Sequence, residues 1–241
     1  MPLGMLLERV EAPQALRDWL AKPRRVDPWA SCSRGDWLIW LAACSGHPLA
    51  TVLQASCDCV ERAVDAMPQG TATLRRALEV SREASSAEAC AAAAVDCEAA
   101  RREYPASYRA PIATGYRAAS LAACWAARAA EGLVTAEARA EVRSVTDARA
   151  RAMVIGMNPY IMPAQRTGPA RLDPAVGPDD PVQQELAFVV AAAAQAVEQA
   201  ARALGPGQAD ASARKQAHTS FADLVRRRLG APGPLERRAT E

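Results

Sequence analysis

The residues able to do chemistry in this 241-residue chain are few and scattered: two histidines, His47 and His218, seven cysteines, and an acidic row after Pro48. Cys57 and Cys59 are two apart, which on a helix sends them to opposite sides, so they cannot pinch one metal ion. With only His47 and His218 to help, no metal site and no cofactor are expected. The chain has no Gly-rich phosphate loop, no G-x-S-x-G and no H-E-x-x-H, and no catalytic residue is assigned. His218 lies one turn before Phe221 and reads as a boundary residue rather than a base. What remains is the row Asp58, Glu61 and Asp65, with Arg62 four residues after Asp58 and able to pair with it. Such a row of carboxylates can mimic phosphates and steer a basic partner from a distance.

The elements that carry this row are the best defined in the chain. Trp37 to Cys44 is apolar at every position, so a helix there has no polar stripe and must be covered on most sides. It reads as the central helix. Ser33 and Asp36 have the spacing of a capping box at its start. After the turn at Ser45 to Pro48, apolar residues return at Leu53, Cys57, Val60, Val64 and Met67, in steps of four, three, four and three. That period predicts an amphipathic helix over Leu49 to Met67. Trp37, Trp40, Leu41, Cys57, Val60 and Val64 are the expected structural core.

Half of the residues are apolar but only 5% are aromatic, because alanine fills the total. Alanine is the best helix former, and few segments alternate as strands do, so the fold expected is all-α, a multi-helix bundle of about eight to ten helices. The 29 basic and 27 acidic residues nearly cancel, which argues against a dedicated nucleic-acid binder. An odd number of cysteines inside Ala-rich runs suits free thiols packed as small hydrophobes and a reducing, cytoplasmic setting. Leu186 to Ala194, the longest apolar run, falls short of the roughly 20 residues that a membrane span needs.

Four divisions follow. Residues 1–155 are expected to form an Ala-rich helical domain, with helices from Pro13 to Lys22 and from Thr71 or Thr73, Ser85, Ile112 and Thr135. In it Val95 and Val142 are expected to face inward. Residues 156–181 hold six prolines and no helical period, and read as a strap or linker, in which Met157, Tyr160 and Met162 make a second candidate contact surface. A helical pair over 182–230 packs on the first domain, and 231–241 is a tail expected to be disordered.

The segment Arg34-Gly35-Asp36-Trp37-Leu38-Ile39-Trp40-Leu41, followed by the Cys57-Asp58-Cys59 helix, Pro68, Arg76-Ala77-Leu78-Glu79 and Ala-rich helices, resembles the Imm-5-like immunity proteins of bacterial polymorphic toxin systems. The likeness runs from about Trp29 to Ile155, and its most specific part is Arg-x-Asp-Trp-x-x-Trp-Leu. The resemblance implies a cytoplasmic antidote that binds a cognate protein toxin and blocks it without catalysis. Asp58, Glu61, Asp65, Met157, Tyr160 and Met162 are then the candidate partner-binding residues. The other readings are a helical scaffold for a different protein, and an enzyme assembled around Asp36 and Arg62.

Overall fold

A computed structural model describes residues 3–23, 27–103, 109–154, 168–173, 176–177, 179–205 and 211–231. The described residues form ten helices and no strand: α1 (Leu3–Arg9), α2 (Gln14–Ala21), α3 (Pro28–Ser31), α4 (Gly35–Cys44), α5 (Leu49–Asp65), α6 (Ala72–Glu83), α7 (Ala87–Arg102), α8 (Ala110–Val154), α9 (Pro181–Leu204) and α10 (Ala211–Leu229). The all-α expectation therefore holds.

The centre of the bundle is α9 rather than α4 alone: α9 packs on α4, α5, α8 and α10. Its residues explain this position. Leu186, Val189, Val190 and Val197 are buried, and alanines fill most of the spaces between them. Small side chains let helix axes approach toward the low end of the usual range of about 8–10 Å. The start of α9 is fixed by Asp180, whose carboxylate accepts from the N–H groups of Val182 and Gln183, with Pro181 in the first turn. Ser56 of α5, fully buried, donates to the Ala193 carbonyl at 2.8 Å and ties the two helices together.

Leu38, Ile39, Trp40 and Leu41 of α4 are all buried, as an uninterrupted apolar helix requires. The capping box expected at its start does not form. The residue preceding the helix is Arg34, and Asp36 turns to the interior. Gly35 sits where a Cβ would come within 2.7 Å of the Phe221 Cβ and 3.2 Å of the Phe221 carbonyl carbon. Only glycine lets α4 lie this close to α10.

Three further expectations change. The two helices drawn from Ile112 and from Thr135 are one helix of 45 residues, about 68 Å long at 1.5 Å per residue. Thr135 does not open a helix; its hydroxyl bonds back to the Glu131 carbonyl at 2.9 Å inside the continuing one. Val95 and Val142 face outward, at 67% and 66% exposure, because each lies two residues from the inner row of its helix, Ala93 and Cys97 in α7 and Ala140 and Ser144 in α8. Ser86, not Ser85, caps α7, accepting from the Ala89 N–H at 3.1 Å. The described part of the 156–181 segment is anchored: Ala170 accepts the Leu49 N–H at 2.9 Å, and Leu172 is buried.

Candidate functional site

The most unusual place in the molecule is a cluster of charges inside it, and it grows from the Arg-Gly-Asp-Trp segment. Arg34 grips Asp36 with two hydrogen bonds, Nε to Oδ1 at 3.0 Å and Nη2 to Oδ2 at 2.7 Å. The same Nη2 reaches Glu198 of α9 at 3.0 Å. His218 of α10 lies between the two acids, its Nδ1 3.4 Å from Asp36 Oδ1 and its Nε2 3.0 Å from Glu198 Oε2. Neither approach is in line with a ring N–H, so both are close polar contacts without a linear hydrogen bond. The remaining oxygen of Glu198 accepts from Arg202 at 3.0 Å and from Arg214. Asp36, Glu198 and His218 are each more than nine-tenths buried.

Burial alone would raise the pKa of Glu198. The contact with His218 and the charges of Arg214 and Arg34 more than reverse that, and hold it at about 2. For Arg34, burial works against the cation, but the bond to Asp36 and the charges of Asp36 and Glu198 prevail and raise its pKa. Arg34 also lies 4.8 Å from the centre of the Trp37 ring, which is itself tilted against Trp19 at 5.4 Å. Trp40 and Leu41 are core residues as expected. Trp37 is only half-buried, and Arg34 and Trp19 provide part of its cover.

Asp36, Glu198 and His218 offer three ligand atoms within 4.8 Å of one another, a spacing a metal ion could use. The charges do not suit one. Three guanidiniums already share the oxygens of two carboxylates, so the positive charges outnumber the negative ones and a cation would have to displace an arginine. The arrangement is a knot of ion pairs joining α4, α9 and α10.

No local spacing in the sequence announces this knot. His218 is buried and charge-linked, not a boundary residue. The available signal was Glu198, a lone acid in the long, nearly apolar inner run of α9.

The acidic row is present on α5 but its charges are taken. Arg82 of α6 bonds both Asp58, at 3.1 Å, and Glu61, at 2.7 Å. Asp58 also meets Arg228 of α10 at 3.6 Å, and Asp65 meets Arg75 at 2.8 Å. The expected Asp58–Arg62 pair is replaced by these contacts, and Arg62 is exposed beside Asp223 and Arg227 of α10. Cys57, Val60 and Val64 on the opposite side are buried. Met157, Tyr160 and Met162 lie outside the described residues. Arg226 reaches back to the carbonyls of Trp29, Ala30 and Cys32, closing the end of α3.

All seven cysteines are free thiols. No helix among the described residues is long and apolar enough to cross a membrane. No protein-family model, curated protein or solved structure matches the chain.

Proposed function

We propose that this chain is an immunity protein: a non-catalytic helical antidote that binds a cognate toxin protein in the bacterial cytoplasm. The observation that carries the reading is the inward course of Arg34 and Asp36. These two charged residues belong to the segment that resembles the Imm-5-like family, and both are engaged with Glu198 and His218 inside the bundle. A segment used this way holds the fold together and leaves the surface free to differ with the partner. The enzyme reading built on Asp36 and Arg62 draws no support, since Asp36 is enclosed by the charge knot while Arg62 stands on the surface beside α10.

The test is co-expression with the product of the adjoining gene. Rescue of a growth defect caused by that product, together with a stable complex of the two purified proteins, is the expected result. A toxic neighbour that this chain neither binds nor neutralises would overturn the proposal, and a complex with a harmless neighbour would favour a scaffold.

A further inference from the structure

A groove of about 570 Å³ lies between α1, the segment around Leu172 and the first half of α9. Its floor is apolar: Leu6 and Leu172 are buried, and Phe188 is left 45% exposed. Its rim is acidic, with Glu11, Asp173 and Asp179 set against one cation, Arg9. Glu11 is held in place by the end of α1. Its φ is 55°, and the turn is closed by the Ala12 N–H on the Leu7 carbonyl at 2.8 Å and the Glu11 N–H on Glu8 at 3.1 Å. No partner for Glu11 or Asp179 is found among the described residues. The contrast with α5 is direct, since there every acid of the row is bound to arginine.

We infer that this groove, rather than the α5 row, docks the partner, and that it takes a basic protein segment that inserts an apolar side chain beside Phe188. The inference rests on the reading of the chain as a toxin-binding protein. An apolar floor supplies a desolvated anchor point, and the carboxylates of Glu11 and Asp179, which meet no cation among the described residues, favour a cationic rim on the other protein.

The test uses a short fluorescein-labelled peptide of arginine and leucine at helical spacing, its glutamate-for-arginine counterpart, and the toxic neighbour where one exists. Fluorescence anisotropy is measured for the parent, for Glu11→Gln with Asp179→Asn, for Phe188→Ser, and for Asp96→Asn with Glu103→Gln as a control elsewhere on the surface. Melting curves establish that each variant is folded. The expected result is binding of the cationic peptide alone, weakened at least about tenfold by either groove change and unaffected by the control. No binding by the parent, or equal binding by all four proteins, overturns the inference. Tight binding of the toxic neighbour that ignores both groove changes also overturns it while leaving the immunity reading in place. Groove-dependent peptide binding with a toxin that never binds upholds the groove and removes the immunity reading.

Discussion

Glu198 concentrates the consequences of the buried charges in one side chain. Its carboxyl is held at about 2 against an ordinary 4.5, so it binds fewer protons in the folded chain than in the unfolded one. A depressed carboxyl contributes stability above its unfolded pKa, and that stability is lost as the pH falls from about 4.5 to about 2. At 1.36 kcal/mol per pH unit the contribution is roughly 3 kcal/mol. Urea melts of the parent should show the loss across that window, and Glu198→Gln should flatten it while lowering stability at neutral pH. Zinc or a chelator should leave the melting temperature unchanged, because the three guanidiniums repel a divalent ion. Among the tryptophans, Trp40→Ala should cost about 3–5 kcal/mol, as large core truncations do, and Trp37→Ala clearly less because that side chain is only partly buried. Equal losses in denaturant melts would contradict the burial of the two rings.

The helices show which features a sequence makes legible. α5 was readable because its apolar residues recur every three or four positions and its inner face is uniformly buried. α9 was readable for the same reason. The length of α8 was not, since Gly132 and Thr135 look like punctuation, yet the glycine only makes room for Val189 and Phe188 of α9. The fate of the α5 acids was hidden as well. Their partners Arg75, Arg82 and Arg228 lie on other helices, and no local spacing points to them. Two expectations follow. Replacing Asp58, Glu61 and Asp65 with lysine should lower the melting temperature, because each new cation would face an arginine. Gly35→Ala should destabilise by about 1–3 kcal/mol, as overpacking does, because the added methyl meets the Phe221 backbone and Cβ. A melting temperature unchanged by either would mean that the α5–α6 or α4–α10 contact is looser than the structure has it.

At the scale of the whole molecule, the late helices are internal parts of the early ones. Arg34 and Asp36 belong to α4 and the residue before it, yet the acid and the histidine that complete their cluster come from α9 and α10. From their periodicity alone these helices read as an appended pair, because a helical period reveals which face is apolar and not which neighbour covers it. A fragment of residues 1–180 would leave the inner sides of α4, α5 and α8 without their central neighbour. It should show no cooperative melting by circular dichroism and fast amide exchange throughout. A sharp transition in that fragment would show that the first eight helices fold by themselves.

The thiols give the bundle an internal clock. Burial pushes the pKa values of Cys44, Cys57 and Cys97 up to about 12, so at neutral pH only about one thiol in 10⁵ at each is the reactive thiolate. Alkylating agents and peroxide should therefore find almost nothing to attack at these three positions in the closed protein. Each opening of the bundle returns a sulfur to water and to ordinary reactivity, and the rate of labelling at each cysteine then counts how often that part of the core comes apart. Under oxidising conditions the same event would let strangers pair, so that a chain which unfolds once can be trapped by a crosslink that its native packing never permits.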